Sequence, residues 1–145
     1  MGRVSRFEIT LDLAQEMMTA TRNAATAAGI AVSIAVVDAG GHLVGFARMD
    51  GAEIAGPILA RDKAFTSVAH RIETSELTTL VAPGGELAGM NTADSGRYIA
   101  FPGGLPCWDA GRVIGAIGVS GGSADQDEAC ARAGLTVYLQ AQQAS

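Results

Sequence analysis

The chain has 145 residues and a mass of 14.7 kDa, the size of one domain with enough length to bury a sizeable core. Hydrophobic residues make up 48% and charged residues 17%, and no apolar run approaches the roughly 20 residues that span a bilayer, so a membrane protein is not expected. The net charge of −5, with ten scattered Lys and Arg, argues against nucleic acid as a partner.

The first residues carry Arg3 and Arg6 but no apolar stretch behind them, so no secretory signal is read and a cytoplasmic location is the default. Thr10 is a plausible N-cap. Behind it Leu11, Ala14, Met17, Met18, Thr21, Ala25 and Ala28 recur at helical spacing until Gly29 offers a stop. Ile30 to Val37 then runs apolar and β-branched, as a buried strand does. Asp38-Ala39-Gly40-Gly41 is turn chemistry, and His42 to Arg48 reads as the returning strand of a hairpin.

Gly56 and Pro57 open a second helix that ends near His70 or Arg71, with Ile54, Ile58, Phe65, Val68 and Ala69 expected as its buried stripe. Lys63 falls off that stripe, on the side of Ala60. A short third helix is expected from Thr74 to Leu80, and Pro83, Gly84, Gly85 and Gly89 predict a long excursion without regular structure. Tyr98 to Phe101 reads as a strand, Pro102 to Pro106 as a rigid turn, Cys107 and Trp108 as a short strand, and Asp109-Ala110-Gly111 as a turn. Val113 to Val119 follows as a central strand. Ser123 and Gln126 form a capping-box pattern before a last helix that runs to about Gln142 and packs through Ala131, Leu135, Tyr138 and Leu139. This order suits an α+β domain over residues 1–145, with a mostly antiparallel sheet and no Rossmann topology.

Gly118-Val119-Ser120-Gly121-Gly122 fits the nucleophile-elbow pattern G-x-S-x-G, but both histidines precede the serine, the reverse of the chain order such hydrolases use. The favoured reading is a glycine turn that folds the last helix back on the sheet. A phosphate at that turn is disfavoured by Asp125, Asp127 and Glu128, and no lysine follows the glycines. Cys107 and Cys130 form no CxxC pair and are expected as reduced structural thiols. No set of His, Cys and carboxylates has zinc-site spacing, so no metal site is expected. His42 and His70 are either surface imidazoles or axial ligands to haem iron. Arg48, Asp50, Glu53 and Lys63 concentrate charge between the hairpin and the second helix, either as an ion-pair network or as a site where Arg48 and Lys63 hold a carboxylate.

The stretches VVDAGGHLVGFARMDGA (36–52), ARDKAFTSV (60–68), FPGGLPCW (101–108) and GRVIGAIGVSGGSADQDEACARAG (111–134) together resemble the GlcG/HbpS family, itself similar to the C-terminal domain of PduO-type adenosyltransferases. The resemblance covers nearly the whole chain. It implies a profilin-like fold, with a five-stranded antiparallel sheet flanked by helices, and assembly into a homo-oligomer. Some members of the family bind haem. Arg48, Asp50, Lys63, Gly103, Gly104 and Pro106 lie in the recurring motifs and are expected to line or shape the pocket. After Pro106 the chain departs from the family pattern with Cys107, Trp108 and Asp109, either as a specialised pocket, with Trp108 in the ligand-binding set, or as a repacked strand.

The reading that follows is a small-molecule or cofactor-binding protein, with haem as the possible cofactor and His42 and His70 as its possible ligands. The alternative is a cofactor-independent isomerase, lyase or hydrolase of a small carboxylate or aromatic catabolite. In that reading Lys63 or Arg48 holds the anion and Asp50, Glu53 or Glu86 exchanges a proton.

Overall fold

The computed structural model describes residues 2–145. Helix α1 (Leu11–Ala27) is capped by Thr10, whose side chain accepts from the Leu13 amide, and Gly29 turns left-handed just past its end. Strands β1 (Ser33–Asp38) and β2 (Leu43–Arg48) form the expected hairpin. Helices α2 (Gly56–His70) and α3 (Thr74–Val81) follow, then a 3-10 turn over Met90–Thr92 and a single turn α4 (Ala93–Gly96) in which Asp94 and Ser95 take left-handed φ. Strands β3 (Gly104–Asp109) and β4 (Arg112–Ser120) make a second hairpin, and α5 (Ala124–Ala144) closes the chain behind the Ser123–Gln126 capping box.

The sheet has four antiparallel strands in the order β2-β1-β4-β3. One face carries Ile34, Val36, Leu105, Ile117 and Val119 against Met17 of α1 and Leu135 and Tyr138 of α5. The other carries Ala35, Val37 and Ala116 against Ala60 and Ala64 of α2. The result is a helix, sheet, helix sandwich of α+β class. No helix among the described residues is long and apolar enough to cross a membrane.

Three expectations are corrected. The fifth strand, Tyr98 to Phe101, is absent from the sheet, because threonines of the neighbouring helices take over its backbone partners. The Ile99 amide donates to Thr66 Oγ1 at 2.9 Å and the Ala100 carbonyl accepts from Thr78 Oγ1 at 2.6 Å, so no ladder is needed to satisfy the segment. The turn expected over Pro102 to Pro106 gives way to β3 from Gly104 onward. Pro106 is tolerated inside it because β3 lies at the sheet edge, where a missing N–H interrupts no second ladder.

The buried stripe of α2 is also rotated from the expected one. Gly56, Ala60, Lys63, Ala64, Thr66 and Ser67 face inward, whereas Ile54 is 92% and Ile58 65% exposed. The cause is the sheet face beneath. A side chain at Gly118 would approach the Ala60 carbonyl oxygen to 2.1 Å, so α2 lies too close for large residues to stand between them.

Cys107 and Cys130 are both buried free thiols. Burial pushes the Cys107 thiol from 9.0 up to about 12. An unfolded thiol ionises near pH 9, while the folded one keeps its proton. Its contribution to stability is therefore complete below pH 9 and is lost between pH 9 and 12, at up to about 1.4 kcal/mol per pH unit. Urea unfolding of Cys107→Ala across that range should show a shallower fall than the wild-type chain, and parallel curves would remove the thiol as the cause.

Candidate functional site

Lys63 sits at the middle of α2 with its side chain fully enclosed. Its ammonium donates to the Val119 carbonyl at 2.8 Å and to Asp127 Oδ2 at 3.0 Å, and lies 5.0 Å from the centroid of the Phe101 ring. The other oxygen of Asp127 accepts from the Gly122 amide at 2.8 Å. Asp127 thus couples the β4–α5 glycine turn to α2. Burial pulls the Lys63 ammonium below its ordinary range and pushes the Asp127 carboxyl above its own, and in each case the partner opposes the shift.

Gly103 and Gly104 belong to the same junction. A side chain at Gly103 would reach 2.8 Å from Lys63 Nζ, and one at Gly104 would reach 2.4 Å from the Lys63 carbonyl oxygen. Both glycines are there because the lysine and its helix pass so close. The turn at Gly121, with φ of 153°, has the same logic, since a side chain would meet the Ala31 carbonyl at 2.5 Å. Ser120 of the G-x-S-x-G match is buried, not held out over the sheet.

The remaining expected residues are dispersed. Arg48, Asp50 and Glu86 are exposed and form no ion pair among the described residues. Pro106 and Trp108 border a separate cleft of about 270 Å³ with Ile72, Leu135 and Leu139. Trp108 is 46% exposed, and its carbonyl accepts from the Tyr138 hydroxyl at 2.8 Å. Lys63 meets only internal partners and is fully enclosed, so in this arrangement its ammonium does not reach an outside anion.

His42 and His70 lie toward the other end of α2, seven residues or about 10 Å of helix beyond Lys63 in the case of His70. Asp38 Oδ1 accepts from the Gly40 and His42 amides, both at 2.9 Å, and fixes the β1–β2 turn. That turn rests on α2, where a side chain at Gly41 would come within 2.8 Å of the Phe65 ring. Phe65 stacks with Tyr98 at 5.8 Å, and His70 meets the Tyr98 ring edge-on at 5.0 Å. The Arg97 guanidinium covers Phe65 at 3.4 Å and pairs with Asp62 at 3.2 Å. Both histidines are exposed; His70 borders the aromatic pair directly, whereas the His42 ring lies over Gly40 in the turn. Sequence reasoning missed Phe65, Tyr98 and Arg97 as site residues, because the segment carrying Tyr98 read as a strand.

A family model described as "Haem degrading protein HbpS-like" matches residues 9–136. The chain belongs to this family. Within it, the chain is 38% identical over 130 residues to an uncharacterized 15.0 kDa protein from the dhaT–dhaS intergenic region of Citrobacter freundii, covering 90% of this chain and 92% of that one. The crystal structure of Klebsiella pneumoniae protein ORFY matches with a TM-score of 0.92 at 36% identity, over 96% of this chain and 97% of that one. PduOC, solved as a complex with haem, matches with a TM-score of 0.87 at 32% identity, over 90% and 94%. The HbpS-like fold is therefore shared along nearly the full chain, with a haem-bound structure among the relatives.

Proposed function

We propose that this HbpS-like chain is a small-molecule binding protein whose ligand is haem, held at the surface bordered by His42 and His70. The observation that carries the reading is the exposed His70 imidazole set edge-on against Tyr98 in the Phe65–Tyr98 pair, with the turn that leads into the exposed His42 resting on Phe65. Imidazole is a suitable axial ligand for haem iron and flat rings suit a flat macrocycle, while the Arg97 guanidinium, which pairs with Asp62 through Nε, has its terminal nitrogens for a propionate. Haem held through an imidazole would supply an iron centre able to take a further ligand or an electron. The protein residues would orient the macrocycle and shield one side of it from water. The enzyme reading has no comparable support, since the enclosed Lys63 ammonium that would hold the anion bonds to Val119 and Asp127, and Asp50 and Glu86 stand exposed and unpaired among the described residues.

The surface is open in a single chain, so the reading includes a homo-oligomer in which a second copy covers the exposed side. Ile54 and Ile58, both exposed and apolar, are consistent with further burial on assembly. Haem titration followed in the Soret region, on protein sized by light scattering, tests both parts. Saturable binding that disappears in the His42→Ala, His70→Ala double variant is expected. Unchanged binding in that variant would overturn the assignment of the ligands, and a lone 14.7 kDa species would overturn the assembly.

A further inference from the structure

A cavity of about 310 Å³ opens at the end of the sheet where the two hairpin turns and the C-terminus of α2 meet the N-terminal arm. Three arginines line it, Arg6 from the arm, Arg71 from the α2 cap and Arg112 from the start of β4. Its apolar wall includes Phe7, Val68 and Val113. The arm is held in place by Ile9, which is buried and whose amide donates to the Ile114 carbonyl at 3.3 Å, and by the Arg112 guanidinium 5.2 Å from the Phe7 ring.

The charge in this cavity is one-sided. No Asp or Glu lines it, and among the described residues none of the three arginines has an acidic partner. The chain has 15 acidic and ten basic residues, so a cluster of three uncompensated arginines runs against its composition. Asp38, in the adjoining turn, has its Oδ1 committed to the Gly40 and His42 amides. Arg71 adds a second, independent sign. It caps α2 at φ 54° and ψ 49°, a left-handed conformation in which glycine is the more stable choice. A cation there would also complement the helix dipole, but His70 already supplies one polar side chain in the last turn.

We propose that this cavity binds a small amphipathic organic acid, its carboxylate held by the Arg6, Arg71 and Arg112 guanidinium groups and its apolar body against Val68, Val113 and Phe7. The volume lies at the lower end of small-molecule sites and is too small to enclose a haem, and the lining includes none of His42, Phe65, His70 and Tyr98, although Arg71 directly follows His70. The geometry points to one ring or a short chain on a single acid group.

Benzoate and hexanoate are the probes, with benzyl alcohol and hexanol as uncharged counterparts, followed through the amide NMR signals of Gly111 and Val113. At least one acid should bind saturably at one per chain, its alcohol at least tenfold more weakly, and binding should weaken as salt is raised. Arg112→Gln should weaken it at least tenfold. Arg71→Gly separates site from scaffold, because it should raise the melting temperature while weakening the acid at least tenfold. No saturable shift with either acid, equal binding of acid and alcohol, or wild-type affinity in folded Arg112→Gln would each overturn the proposal.

Discussion

Asp127→Ala is expected to destabilise the fold by about 3–5 kcal/mol, the cost of leaving a buried charge without its partner. Lys63 is fully enclosed, and its remaining acceptor, the Val119 carbonyl at 2.8 Å, carries no formal charge. The substitution also leaves the Gly122 amide without the oxygen it meets at 2.8 Å, so the β4–α5 turn loosens together with α2. Against a total stability of about 5–15 kcal/mol for a domain of this kind, the loss is a large fraction. Urea unfolding followed by the fluorescence of Trp108 measures it. The double change Lys63→Met, Asp127→Leu should recover much of the loss, because two apolar side chains need no compensation. A single-variant loss below about 1 kcal/mol would mean that water reaches the ammonium and that the pair does not couple α2 to the β4–α5 turn.

That pair shows which features could be read from the chain. Thr10, Gly29, Ser123 and Gln126 act through bonds to backbone groups within a few residues of themselves, so the ends of α1 and α5 were legible as short patterns. The glycine turns at 40–41 and 110–111 were legible for the same reason. Tyr98 to Phe101 was not, because the threonines that hold it stand 33 residues away at Thr66 and 22 away at Thr78. The buried face of α2 was misread because large apolar residues are ordinarily the inward ones, and the sheet face of Ala35, Ala116 and Gly118 reverses that order. Turning α2 by this amount carries Lys63 inside.

Its partner had a signal that went unused. Asp127 stands on the same helical face as Ala131, Gly134, Leu135 and Tyr138, all buried, so an inward carboxylate requiring a cation was implied by the spacing. Taking Asp125, Asp127 and Glu128 together as charges that repel a phosphate hides it. The histidine surface depends on longer-range placement still, since His42, Phe65, His70 and Tyr98 come from a turn, a helix and an irregular segment. No local pattern joins them.

Gly118→Ala is expected to destabilise by about 3 kcal/mol or more, the upper end of the usual cost of overpacking. The added carbon would stand 2.1 Å from the Ala60 carbonyl oxygen and 2.6 Å from the Ala64 amide nitrogen, and backbone atoms of a helix cannot turn aside as a side chain can. α2 must lift from the sheet. Lifting it would strain the Lys63 contact to Val119 on the neighbouring residue of β4 and shift Phe65 and His70 on the same helix. Gly51→Ala is the control. Gly51 has φ of 81° with nothing within 4 Å of the added carbon, so only the backbone preference is lost, about 1 kcal/mol. Thermal unfolding of the two variants should therefore separate them clearly, with the proposed haem binding altered in Gly118→Ala and retained in Gly51→Ala. Equal losses would mean that α2 adjusts freely over β4, and the close approach would no longer account for the small residues on its inner face.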